Sequence, residues 1–94
     1  MKKGLFVLTE ESQPIADALA YAGDELVVLV VMDRDTLATD FDGKLKAIEK
    51  RAQEIRTKLR KKNIKCSVQV EWGDKTGAVG NALLREGAQL INKA

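Results

Sequence analysis

The chain switches between continuous apolar runs and stretches where apolar residues recur every three or four positions. Residues 4–9, Gly-Leu-Phe-Val-Leu-Thr, are an apolar run bounded by turn formers, which predicts a strand covered on both faces. Residues 26–32, Leu-Val-Val-Leu-Val-Val-Met, show no alternation and are rich in β-branched side chains, so they predict a second strand of the same kind. Between the two runs, Ile15, Ala16, Leu19, Ala20 and Ala22 form a helical stripe that Gly23 ends. Ser12 or Gln13 is placed to cap this short helix, and Pro14 suits its first turn. A strand, a helix and a strand in this order predict a right-handed crossover and a parallel pair.

Residues 33–43 are polar and turn-rich, a loop at the carboxyl end of the second strand. The clearest helix follows, with Phe41, Leu45, Ile48, Ala52, Ile55 and Leu59 stepping by four and three. Asp40 and Asp42 at its front and Arg56, Lys58, Arg60, Lys61 and Lys62 at its back complement the helix dipole, and Asn63 suits its C-cap. Ile64, Cys66, Val68, Val70 and Trp72 then alternate with Lys65, Ser67, Gln69 and Glu71. That alternation predicts a strand with one wet face, at a sheet edge. Gly73-Asp74-Lys75-Thr76 turns into a third helix. Val79, Leu83 and Leu84 are expected to face inward there, with Gly77, Ala78, Gly80 and Ala82 allowing close packing. Gly87 breaks this helix, and Ala88-Gln89-Leu90-Ile91 reads as a strand or as continued helix on periodicity alone. The order β-α-β-α-β-α-(β) predicts a single α/β domain, a Rossmann-like three-layer sandwich around a small, mostly parallel sheet.

Composition narrows the chemistry. Ninety-four residues make one domain with a small core. The longest apolar run has seven residues, well short of a membrane span, and no signal-peptide pattern is visible, so a cytoplasmic protein without a membrane partner is expected. There is no histidine, and Cys66 is the sole cysteine. Zinc sites, internal disulfides and histidine-based acid–base catalysis therefore drop out. No nucleophile–base pair is apparent, and no enzyme is expected. Cys66 falls in the alternating run and is expected to be a buried structural thiol.

The segments "GLFVLTEESQPIADALAYA", "LVVLVVMD" and "VEWGDKTGAVGNALLREGAQLI" together resemble the universal stress protein family across essentially the whole chain. The last segment matches the family's strand, Gly-Asp turn, helix, Gly-Ala-Asp and Leu-Ile without a gap, through Gly73, Asp74, Gly87, Ala88, Leu90 and Ile91. The resemblance implies a doubly wound parallel sheet, here of order 3-2-1-4, with residues 89–92 as a short fourth strand. In ATP-binding members that strand leads into Gly-x2-Gly-x9-Gly-[Ser/Thr], and the first of those glycines would fall near Ala94. Where the family has Asp-Gly after the first strand, this chain has Glu10-Glu11, whose charges would repel phosphates. A residual adenine site would lie at Glu10 and Ser12 with the backbone near Val31, but no cofactor and no ATP binding are expected.

The resemblance and the residues together point to a non-catalytic interaction module of the stress-protein type, homodimeric through Leu90 and Ile91 at an open sheet edge. A further protein partner remains open. One alternative is a nucleotide-binding domain completed by a partner chain. Another is an RNA- or acidic-partner-binding module using the basic residues Arg56, Lys58, Arg60, Lys61, Lys62 and Lys65. Four aromatic residues and nine acids against one base in residues 4–43 argue against nucleic acid. Two further patterns carry less. Gly77-Ala78-Val79-Gly80 lacks the lysine of a phosphate loop, and Asp33, Asp35, Asp40 and Asp42 lack the spacing of a calcium loop.

Overall fold

The computed structural model describes residues 2–10, 12–32 and 41–91, and for Phe41 the backbone alone. The elements are β1 (Lys3–Leu8), α1 (Ala16–Leu19), β2 (Glu25–Met32), α2 (Phe41–Lys61), β3 (Lys65–Trp72), α3 (Lys75–Glu86) and β4 (Gln89–Leu90). The strands form one all-parallel sheet in the order β3-β2-β1-β4, which makes this an α/β fold of Rossmann-like type. β1 and β2 lie in the middle, which explains why both read as unbroken apolar runs.

Each face of the sheet has its own core. Phe6, Leu8, Leu26, Val28, Val30 and Met32 pack beneath α1 and α2, against Ala18, Ile48, Ala52, Ile55 and Leu59. Leu5, Val7, Val27, Leu29 and Val31 face the other way, onto Ala82 of α3, with Ala78, Val79 and Leu83 packed beside it. The heptad-like steps of α2 and the period-two exchange of faces along β1 and β2 produce this division directly.

Local chemistry sets the element ends. Asn63, at φ 61°, is left-handed after α2, and Ile64 N–H closes back on the Leu59 carbonyl at 3.0 Å. The Asp74 carboxylate accepts from Gly77 N–H at 2.9 Å and caps α3. Gly87, at φ 59°, stops that helix in the left-handed region, where glycine carries no Cβ penalty. The ambiguity after Gly87 resolves as a strand, because Ile91 N–H donates to the Leu5 carbonyl at 2.9 Å. Asn92, the last residue of the expected strand, lies outside the described residues.

Four expectations need correction. The first helix is a single turn, Ala16–Leu19, and its N-cap, Ile15, makes no side-chain cap bond. Gln13 turns back to β1 instead of capping, and the chain leaves the helix to send Tyr21 inward, where it is buried. Leu84 is 86% exposed; it lies two positions beyond Ala82, about 200° around the helix, so it faces away from the sheet. Gly77 and Gly80 are both exposed, and a Cβ at Gly80 would meet nothing within 4 Å. The close approach of α3 is therefore made by Ala78 and Ala82. On β3, Cys66 is buried, but Val70 and Trp72 are 37% and 44% exposed. An edge strand has one neighbouring strand, and solvent reaches it from the other side. Its polar face is correspondingly drier than its composition implies: Arg85 and Glu86 of α3 hydrogen-bond Gln69 and Glu71.

Candidate functional site

β1 feeds α1 on one face of the sheet, whereas β4 is reached through α3 on the other. The boundary between β1 and β4 is therefore the topological switch point, and in open α/β sheets ligands bind outside the strands' carboxyl ends at such a point. At this boundary the chain places Thr9, Glu10, Ser12 and Gln13.

Gln13 organises the place. Its carboxamide oxygen accepts from Thr9 N–H at 2.9 Å and from the Thr9 hydroxyl at 3.3 Å, and its Nε2 donates to the Val7 carbonyl at 2.7 Å. Leu5 turns its backbone carbonyl toward β4 to receive Ile91 N–H. Alternation along a strand puts the backbone groups of Val7 and Thr9 on that same edge. The Gln13 carboxamide thus stands where an N–H and a C=O of a longer fourth strand would pair with β1. A turn with Gln13 N–H on the Glu10 carbonyl, at 3.3 Å, and Arg51 Nη2 on the Gln13 carbonyl, at 3.3 Å, hold it there.

Glu10 and Ser12 are exposed on this turn, and Val31, 4% exposed, is a core side chain facing α3. The three share one end of the sheet, but no side-chain bond joins them to one another in the described residues. Glu11, Asp33, Asp35 and Asp40 lie outside the described residues. Among the described residues no group of three or more potential ligands is placed to hold a metal ion.

At the β4 edge the two proposed contact residues part company. Leu90 is 37% exposed, whereas Ile91 packs on the α1–α2 core, close enough that a Cβ on Gly4 would lie 3.0 Å from its Cγ2.

The basic residues do not share one surface. Lys62 reaches the Leu19 carbonyl at 2.8 Å, and Lys58 lies beside Leu19 in the shallow groove between α1 and α2. Arg56 and Arg60 lie on the other flank, near Cys66 of β3. Lys61 is exposed, and Lys65 opens β3 at 3.8 Å from Glu25. Burial pushes the Cys66 thiol up to about 11, and the guanidinium groups of Arg56 and Arg60 offset this only in part. A thiol so raised is not a nucleophile at neutral pH.

At the opposite end of the sheet, Lys3 bridges Glu25 at 3.0 Å and Glu86 at 2.9 Å. Its hydrogen bonds with Glu86 and then Glu25 hold the Lys3 ammonium above its ordinary range. The bonds from Lys3 and Gln69 hold the Glu86 carboxyl below the usual range. This network ties α3 to the starts of β1 and β2 and to β3.

Sequence reasoning missed Gln13 and Arg51. Gln13 carries no local signal for its role, because a glutamine before a proline reads equally well as a helix-entry residue. The class that fold and site define is a doubly wound, all-parallel α/β domain whose switch point is filled by its own side chain. Comparison with models of protein families, with curated proteins and with solved structures finds no match to this chain.

Proposed function

We propose that this domain is a non-catalytic interaction module of the universal stress protein type, working in the cytoplasm, that binds no ATP by itself and associates with a second copy of itself. The carrying observation is the Gln13 carboxamide at the β1–β4 boundary. It takes up the backbone groups that would meet a ligand there, and Glu10 adds a negative charge beside them. The sheet order β3-β2-β1-β4 agrees with the resemblance, and the exposed Leu90 at the sheet edge supplies a contact surface. The division of the basic residues between two flanks of α2 favours this reading over an RNA-binding one, which needs a continuous track of cations.

Titration calorimetry with ATP and magnesium tests the proposal. The expected result is no binding tighter than about millimolar, corresponding to only about 4 kcal/mol. A micromolar dissociation constant for the isolated domain would overturn it. Micromolar binding that requires an added protein would support instead a nucleotide site completed by a partner chain.

A further inference from the structure

We propose that the open edge of β3 takes up an extended peptide strand from a partner protein, with uncharged residues beside Val70 and acidic residues beside Arg56 and Arg60. This adds a partner of stated chemistry to the interaction module of the reading above, on the sheet edge away from Leu90.

The backbone register selects the groups on offer. Gly73 N–H donates to the Met32 carbonyl at 2.9 Å. In a parallel ladder, residues that bond to the neighbouring strand alternate with residues that do not. Ser67, Gln69 and Glu71, in step with Gly73, therefore turn their backbone groups to β2. Cys66, Val68 and Val70 turn theirs out of the sheet. β3 has β2 as its sole strand partner among the described residues. Such an edge is a template for strand addition.

The side chains around the edge define what fits it. Cys66 and Val68 pack on the α1–α2 core, and Val70 and Trp72 follow on the same face, both exposed. Arg56 and Arg60, one helical turn apart, lie on the flank of α2 near Cys66. Among the described residues neither forms an ion pair, and the Nε of Arg56 is buried without a hydrogen-bond partner. α2 runs back to the start of β3, so these cations stand at the start of the strand. Asp42 and Glu49 come earlier on the same flank by the helical repeat of about 3.6 residues, and they would repel a carboxylate at the far end. Acidic residues therefore fit the start of β3 and uncharged ones its end. On the other face, Gln69 and Glu71 are already engaged by Glu86 and Arg85. A second copy is the poorer occupant. Pairing at β3 in addition to self-association at Leu90 would string copies into an open chain instead of closing a dimer.

Titration of the full chain with synthetic peptides tests the proposal, with Trp72, the sole tryptophan, as the fluorescent reporter. The probe matches the eight residues of β3. It carries valine at its second and fourth positions, glutamate at its sixth and eighth, and threonine between, with both ends blocked. Antiparallel pairing, the more stable ladder, sets its glutamates beside the start of β3. Saturable binding with a dissociation constant of about 100 µM or tighter is expected, with a blue shift of Trp72 emission. Arg60→Glu, at an exposed position, should weaken it at least about tenfold. Methylating the valine and glutamate amides of the peptide, which face β3, should abolish binding, and methylating the threonine amides should not. No saturable change up to about 1 mM, equal binding of a peptide with lysine in place of glutamate, or indifference to methylation of the inward amides overturns the proposal. A uridine oligonucleotide that competes equally overturns it as well, by making the edge a site for any polyanion. So does a dimer that Val70→Lys dissolves, because a second copy would then occupy β3. Sedimentation and ATP titration of the domain without peptide read the functional proposal separately.

Discussion

At the scale of single residues, two side chains do more than their positions in the sequence announce. Tyr21 lies under the start of the sheet, its hydroxyl donating to the Lys2 carbonyl at 3.2 Å. A Cβ on Gly4 would sit 2.8 Å from its ring, and one on Gly23 would run into its hydroxyl. Neither glycine needs a special φ, so space rather than backbone freedom fixes them. Gly4→Ala is expected to cost about 1–3 kcal/mol through overpacking, read as a lower urea midpoint at unchanged slope; an unchanged midpoint would contradict the packing. Gln13 is the second such residue. Replacing it with alanine removes the acceptor of the Thr9 N–H and one donor to the Val7 carbonyl. Hydrogen exchange at the Thr9 amide should accelerate markedly, with about 1–2 kcal/mol lost overall. Continued protection of Thr9 in Gln13→Ala would show that something else closes the switch point.

Between elements, the Lys3–Glu25–Glu86 network makes stability depend on pH in two directions. The Glu86 carboxyl is held below its ordinary value of 4.5. Its contribution is complete above that value and is lost as pH falls through the lower folded value. The Lys3 ammonium is held above its ordinary 10.5, so its contribution is complete below that value and disappears as pH rises through the higher folded one. Glu86→Gln should therefore destabilise the domain near neutrality. The gap to the wild type should narrow between about pH 5 and pH 3, as followed by urea unfolding at each pH. A gap that stays constant over that range would mean that the ion pair with Lys3 contributes nothing. The same elements show why α3 was harder to read than α2. The steps of α2 mark a single buried stripe, whereas α3 mixes Val79, Leu83 and Leu84 with small residues; Ala82 alone is buried there among the described residues, with Ala78, Val79 and Leu83 partly covered beside it.

For the molecule as a whole, α3 is the one described helix over its face of a four-stranded sheet. Polar side chains of β3 and α3 complete that face on one side, and exposed Leu90 lies on the other. The order and type of the first six elements, the two buried central strands, the long helix and the Gly87 stop were legible in the sequence, whereas the segment after Gly87 read equally as strand or helix. Periodicity, turn chemistry and continuous apolar runs are local properties, and they act within a few residues. Three-dimensional closeness decided the rest. The carboxamide of Gln13 meets β1 only because the chain folds back after Thr9. Arg51 reaches that turn from a helix 38 positions away. Ile91 and Leu90 acquire opposite fates only once β4 takes its register beside Leu5. The sequence determined the strands and helices up to Gly87, because those depend on local pattern; the tertiary structure decided that the segment after Gly87 pairs as a strand and which of its backbone groups face β1, because that depends on what the rest of the chain brings to meet them.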